Sequence, residues 1–173
     1  MEKHLNRRHS VLKIISQSKK PISASLIAKT LNVSRQIIVG DVALLRAEGH
    51  EITATARGYL MTPLNSTTRF TRKIACKHGL DDTQKELYIL VDSKIRVENV
   101  IIEHQIYGEI TGNLGLENRH DVDDFIKSLK DNQGKLLSAL TGGIHLHTVS
   151  FESEEHFQTA RDQLKRANIL VEN

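Results

Sequence analysis

A polar segment containing proline divides this chain into two parts of different character. Residues 61–69 read MTPLNSTTR, in which Pro63 and the Asn-Ser-Thr-Thr run interrupt the surrounding pattern. The 173 residues suffice for one medium domain or two small ones. We therefore predict two domains, at residues 1–62 and 68–173.

The two parts carry opposite net charge. Residues 1–62 contain ten Lys and Arg against four Asp and Glu, a net charge of +6. Residues 63–173 contain fourteen against seventeen, a net charge of −3, together with six of the nine histidines. A basic first part indicates contact with a polyanion.

Composition also bears on location. No apolar run approaches the roughly 20 residues that cross a bilayer, and MEKHLNRRHS lacks the apolar core of a signal peptide. The single cysteine, Cys76, excludes an internal disulfide framework. We expect a cytoplasmic protein that does not contact a membrane.

The first part predicts three helices and a hairpin. Apolar residues recur at helical spacing from about Arg7 to Gln17, and Ser23 and Ser34 are suitable N-caps for two further helices. Two short extended pieces follow, around residues 50–53 and 59–62. In the third helix we expect five apolar side chains to face inward: Ile37, Ile38, Val42, Leu44 and Leu45.

This order of elements is the winged helix-turn-helix arrangement, in which the second helix of the motif enters the major groove of DNA. That helix begins Ser34-Arg35-Gln36. Arg35 suits a bidentate contact with guanine, Gln36 suits adenine, and Ser34 could hold a phosphate. Arg57, at the tip of the hairpin, could meet the backbone or the minor groove.

The second part predicts the order strand, helix, strand, strand, helix, strand, helix, strand. An α+β fold with a mainly antiparallel sheet on one side and helices on the other fits this order. The expected strands are Phe70–Lys77, Val97–His104, Ile106–Leu114, Gly143–Phe151 and Ile169–Val171.

The stretch GGIHLHTVS places His145 and His147 two residues apart on a predicted strand. Both rings would project from one face, about 6.6 Å apart along the chain. His78 at a strand end and Glu86 on the next helix could complete a site for zinc, nickel or iron(II). Spacing alone leaves a polar sheet face as the alternative.

A resemblance to a known family covers nearly the whole chain. LIAKTLNVSRQIIVGDVALLRAEGHEITATARGYLM resembles the winged helix-turn-helix of bacterial regulators. KHGLDDTQKELYILVD, VIIEHQIYGEI, NRHDVDDF and LTGGIHLHTVS together resemble the three-histidine domain of the niacin-responsive repressors of Gram-positive bacteria. The resemblance implies a fold like the phosphocarrier HPr, and metal ligands at His78, Glu86, His145 and His147. It also implies nicotinic acid as corepressor, and control of genes for NAD synthesis or niacin uptake.

Three further residues are candidates for binding this effector. His104 could line its pocket or hydrogen bond to the neighbouring loop, and Tyr107 could stack on a pyridine ring or simply pack. Arg119 could hold a carboxylate, with an ion pair to Asp123 as the alternative.

For the whole chain we expect a homodimer that binds double-stranded operator DNA and is not an enzyme, since no motif supplies an acid or base beside the metal. The alternative is a repressor that senses the metal itself.

Overall fold

The computed structural model describes residues 2–61 and 69–172. The chain divides into two compact units, residues 1–65 and 66–173. Most of the predicted boundary segment, residues 61–69, lies outside the described residues. Within the described ranges, no helix is both long and apolar enough to cross a membrane.

The N-terminal unit contains three helices and a two-stranded hairpin: α1 (Glu2–Gln17), α2 (Ala24–Leu31), α3 (Arg35–Ala47), β1 (Ile52–Thr55) and β2 (Gly58–Met61). Both predicted N-caps are present. The Ser23 hydroxyl accepts a hydrogen bond from the Leu26 amide at 3.1 Å, and the Ser34 hydroxyl accepts one from the Ile37 amide at 3.3 Å. Asn32, in the left-handed conformation with φ of 52°, ends α2 and forms the turn.

An apolar core packs the three helices together, and a partly buried ion pair joins two of them. Val11, Ile15, Ile27, Ile38 and Val42 are among the buried side chains of this core. Arg7 of α1 donates from Nε and Nη2 to the two carboxylate oxygens of buried Asp41 on α3, at 2.6 and 2.9 Å. This bidentate pair links the first and third helices.

One prediction for α3 was wrong in part. Ile38, Val42 and Leu45 are buried as expected, but Ile37 is 39% exposed and Leu44 is 52% exposed. Successive residues on a helix are about 100° apart, so a run of apolar residues wider than the core-facing stripe leaves some of them outside. The exposed face of the helix is therefore partly apolar.

The C-terminal unit is a four-stranded antiparallel sheet covered by helices on one face. Its elements are β3 (Phe70–Lys77), α4 (Thr83–Asp92), β4 (Arg96–His104), β5 (Gly108–Leu116), α5 (Arg119–Asp131), β6 (Ile144–Phe151) and α6 (Glu154–Arg166). Short 3-10 helices lie at Leu80–Asp82 and Leu137–Thr141. The strand order is β3-β6-β4-β5. This is the two-layer arrangement that the sequence predicted.

The predicted final strand, Ile169–Val171, is not a strand. Leu170 forms one isolated bridge with Cys76, and two backbone hydrogen bonds join residues 169 and 171 to β3. Because α6 ends at Arg166 and Asn168 turns the chain with φ of 57°, few residues remain to extend the pairing.

Candidate functional site

His145 and His147 project from β6 toward the helices. In the register with β3, His145 lies opposite Cys76 and His147 opposite Ile74. Each of these four residues is at most 5% exposed. The two histidines therefore lie on the same face of β6 as Val149 and Phe151, which belong to the core.

Glu86 brings a carboxylate to the two rings from the first turn of α4. Its side chain is 1% exposed, and its Oε1 lies 3.1 Å from Nε2 of His145 and 3.3 Å from Nε2 of His147. Its Oε2 lies 2.7 Å from Nε2 of His78, which follows the end of β3. The four predicted metal ligands thus lie together, with the three histidines around the Glu86 carboxylate.

The other ring nitrogen of each histidine contacts a backbone carbonyl. Nδ1 lies 2.8 Å from the Gly79 oxygen in His78, 2.9 Å from the Gly143 oxygen in His145, and 2.7 Å from the Asn99 oxygen in His147. A carbonyl oxygen only accepts hydrogen bonds, so Nδ1 carries the hydrogen in each ring. In the neutral rings the lone pair is then on Nε2, facing Glu86.

The charges in this cluster are strongly coupled. Burial opposes ionisation of Glu86, but the facing imidazoles outweigh it and hold the pKa of the carboxyl well below its ordinary value. Burial likewise disfavours charged His78 and His147, yet the Glu86 carboxylate raises the pKa of both rings. Nε2 of His147 still has no hydrogen-bond partner among the described residues. The cluster thus favours a positive charge at the Nε2 atoms, from protons or from a metal ion.

Gly143 fixes the relative position of two of the histidines. Its carbonyl accepts hydrogen bonds from Nδ1 of His145 and from the backbone amide of His78. Its φ is +92°, and a Cβ there would lie 2.4 Å from the His78 carbonyl oxygen. Only glycine satisfies both constraints.

A pocket of about 520 Å³ opens beside His78. It lies between the end of β3 and the segment that leads from α5 into the 3-10 helix Leu137–Thr141. Its walls combine apolar and cationic side chains, including Lys77, Leu80, Lys135, Leu136 and Ala139. A volume of this size is within the range of small-molecule sites.

The residues predicted to bind an effector lie elsewhere in this unit. Nδ1 of His104 accepts hydrogen bonds from the amides of Ile106 and Tyr107, whose ring stacks on that of His104 with centroids 5.2 Å apart. Arg119 makes a bidentate ion pair with Asp92, rather than with Asp123, and lies over the Tyr88 ring. None of the three predicted residues lines the pocket beside His78.

The predicted DNA-contacting residues lie at the start of α3 and in the hairpin turn. Arg35 and Gln36 are exposed in the first turn of the helix, while the hydroxyl of Ser34 is engaged in the N-cap. Arg57 is half-buried in the turn between β1 and β2. The turn is closed by Gly58, at which a Cβ would lie 2.3 Å from the Ile22 carbonyl oxygen.

Comparison with known proteins matches residues 7–60 to an HTH domain and residues 71–173 to the 3H domain. The chain is 38% identical over 170 residues to the transcription repressor NadR of Bacillus subtilis (strain 168), an alignment that covers 97% of this chain and 94% of the relative. It is 36% identical over 166 residues to the probable transcription repressor NiaR of Thermotoga maritima (strain ATCC 43589 / DSM 3109 / JCM 10099 / NBRC 100826 / MSB8), covering 96% and 94%. The chain belongs to the NadR/NiaR family of transcription repressors.

Family membership confirms the resemblance on which much of the sequence analysis depends. As a NadR/NiaR-type protein, the chain is a transcription repressor with a DNA-binding helix-turn-helix domain. The whole histidine cluster and the pocket beside it fall within the 3H domain.

Sequence reasoning missed three side chains that lie near the histidine cluster or line the pocket beside it. Cys76 was considered as evidence against a disulfide framework and not as a metal ligand, although its Sγ lies within 4.8 Å of ligand atoms of Glu86 and His145. Lys77 and Lys135 were not singled out, because they are 58 residues apart and only the folded chain brings them to one pocket. For Cys76 a signal was present: it stands two residues before His78, which follows the end of β3, and this is the same spacing as in HLH.

Proposed function

We propose that this repressor controls genes of NAD synthesis or niacin uptake, with nicotinic acid as its corepressor and a divalent transition metal in the C-terminal unit. The observation that carries the proposal is the set of three imidazoles whose Nδ1 atoms are fixed by carbonyls and whose Nε2 atoms all face Glu86. Histidines that bind metals are typically oriented in this way by their second nitrogen.

The donor set fits a metal ion. Neutral Nε2 atoms and a carboxylate oxygen present lone pairs to one another, an arrangement that needs a cation between them. Nε2 of His147 is buried and has no hydrogen-bond partner in the described part of the chain, so one donor in particular is left for such an ion. His78, Glu86, His145 and His147 would hold zinc, nickel or iron(II), each of which accepts imidazole and carboxylate ligands.

The pocket beside His78 is the best-fitting place for the effector. Nicotinate has an aromatic ring, a ring nitrogen and a carboxylate. Leu80, Leu136 and Ala139 offer an apolar surface for the ring, and Lys77 and Lys135 offer positive charge for the carboxylate. In this proposal the two lysines take the role that the sequence suggested for Arg119. When bound, the metal would supply a Lewis acid for the ring nitrogen.

Calorimetric titration of nicotinate tests the proposal directly. The full-length protein is compared in two forms, one loaded with metal and one stripped with a chelator. Binding to the loaded form alone would make the metal part of the effector site. Equal binding to both forms would contradict direct contact between the metal and the ring nitrogen.

Two variants and one analogue locate the carboxylate. Lys135→Ala should weaken nicotinate binding, whereas Arg119→Ala, which removes a cation bound to Asp92, should not. Nicotinamide, which lacks the negative charge, should bind more weakly than nicotinate. The opposite order for the two variants would return the role to Arg119.

The proposal includes a homodimer. A dimer would place two copies of α3 in successive major grooves, with half-sites about 34 Å apart or a multiple of that distance. Sedimentation of the protein on operator DNA measures the stoichiometry, and a monomer both with nicotinate and on DNA would contradict this part of the proposal.

The same cluster supports a second candidate, a repressor that senses the metal itself. His78, Glu86 and the two histidines of β6 come from separate elements, so metal binding alone would join those elements. Operator affinity measured against free metal, and then against nicotinate at fixed metal, separates the two candidates.

A further inference from the structure

Cys76 is the single cysteine of the chain, and it lies at the edge of the histidine cluster. It has no exposed surface and stands directly opposite His145 in the pairing of β3 with β6. Residues opposite each other in an antiparallel pair project from the same face of the sheet. The thiol therefore points to the layer in which Glu86 lies.

The distances among donor atoms suit a shared ion. Sγ of Cys76, a carboxylate oxygen of Glu86 and a ring nitrogen of His145 all lie within 4.8 Å of one another. In a tetrahedral zinc site with Zn–S of about 2.3 Å and Zn–N of about 2.1 Å, the sulfur and nitrogen are about 3.6 Å apart. Side-chain movements of up to about 1 Å would bring the three donors to one ion.

A separate observation indicates that the cluster is built for such an ion. Nε2 of His147 is buried, lies 3.3 Å from the same Glu86 oxygen that His145 faces, and has no hydrogen-bond partner among the described residues. The unpaired nitrogen is thus directed at the carboxylate that the thiol also approaches.

We propose that Cys76 is a further metal ligand, so that the centre combines imidazole, carboxylate and thiolate donors. This inference rests on the proposed metal centre. On binding, the S–H bond breaks, its proton leaves to solvent, and the sulfur lone pair forms the bond to the metal. A thiolate favours zinc, cobalt(II) or nickel over harder cations such as manganese(II).

Cobalt(II) spectroscopy on the full-length protein tests the inference. Because the chain has one cysteine, a sulfur-to-cobalt charge-transfer band in the near ultraviolet has one possible protein source. We expect the band in the wild-type protein and its absence in Cys76→Ser and Cys76→Val, which should keep the weaker visible bands of histidine-bound cobalt. Because loss of a direct ligand should cost at least as much as loss of an outer-shell partner, zinc affinity should fall at least roughly 10- to 100-fold in both variants, whereas manganese affinity should not change.

X-ray absorption of the zinc-loaded wild-type protein needs no variant and should detect sulfur at about 2.3 Å from zinc. Cobalt or zinc bound without a sulfur signal would overturn the role of Cys76 and leave the metal centre intact. Failure to bind cobalt, zinc and nickel would overturn the metal centre of the proposed function, and this inference with it.

Discussion

Glu86 is a buried carboxylate on α4, a helix whose other buried side chains are mainly apolar. Leu87, Leu90 and Val91 of α4 all pack against the sheet. The charge is tolerated because three imidazoles face it, and their Nδ1 atoms are fixed by backbone carbonyls. A single carboxylate therefore connects the orientation of three rings, and its replacement should disturb all of them.

Glu86→Gln preserves the shape of the side chain and removes its charge. Because the amide no longer supplies a negative charge, we expect zinc affinity to fall by more than about tenfold. Each tenfold change corresponds to about 1.4 kcal/mol. The matched control is Asp82→Asn, an exposed acid that precedes α4. Competition with a chromophoric chelator measures both affinities, and equal losses would show that only general charge matters.

Arg35 and Arg46 are a matched pair for the DNA-binding role. Both are exposed on α3, one in its first turn and one in its last. Arg35→Ala should lose roughly 1–3 kcal/mol of operator binding and relax the preference for one sequence, as expected for a base contact. Arg46→Ala should lower affinity uniformly if it contacts phosphate at all. Selection from a random DNA library with each variant distinguishes these outcomes.

At the level of elements, the turn before β6 determines where the histidine rings lie. Gly142 and Gly143 both have positive φ, of 61° and 92°. Only at Gly143 would a Cβ contact another part of the chain, the carbonyl of His78 at 2.4 Å, whereas the position at Gly142 is open. An alanine would be strained at either position, but only at position 143 would it also meet another part of the chain.

Gly143→Ala should therefore weaken metal binding more than Gly142→Ala does. The added methyl group must push His78 away, and it also displaces the carbonyl that anchors His145. Thermal unfolding of the stripped proteins gives the strain common to both variants, and zinc titration gives the difference. Equal zinc affinities would mean that the cluster adjusts freely around this turn.

Sequence patterns predicted most elements because their signals are local. Ser23 and Ser34 cap helices as expected, and Phe70–Lys77 is a strand with the predicted bounds. The errors arose where tertiary contacts determine whether a residue is buried or paired. Leu44 is apolar but exposed, because the core of three helices occupies a narrower face than the run of apolar residues. Ile169–Val171 has strand-forming residues but reaches only one bridge with β3.

The candidate site was predictable where local patterns and the family resemblance indicated it, and not where it depends on tertiary contacts. The spacing of two in HLH placed His145 and His147 on one face, and the family resemblance added His78 and Glu86. The position of Cys76 opposite His145 depends on the register of two strands about 70 residues apart, which local patterns do not contain. Arg119 was a reasonable carboxylate partner from its chemistry alone, but Asp92 of α4 already binds it.

On the scale of the whole molecule, the metal should stabilise one unit and not the other. The cluster belongs entirely to the unit 66–173. A ligand present at 100 times its dissociation constant stabilises the state it binds by about 2.7 kcal/mol. Hydrogen exchange with and without zinc should show slower exchange in peptides from β3, α4 and β6. Slowing of the same size in α1 and α2 would mean that the units respond together.

Corepression requires a coupling of free energies between the pocket and the operator. If nicotinate raises operator affinity by some factor, operator DNA must raise nicotinate affinity by the same factor. A coupling of 1–3 kcal/mol, the usual range, corresponds to roughly 5- to 150-fold. Titration of nicotinate into the metal-loaded protein, alone and with a saturating operator duplex, measures one arm, and titration of operator DNA with and without nicotinate measures the other. Equal factors above one support the corepressor proposal. A factor of one in both titrations would mean that nicotinate binds without acting as a corepressor. The metal itself would then be the effector to test.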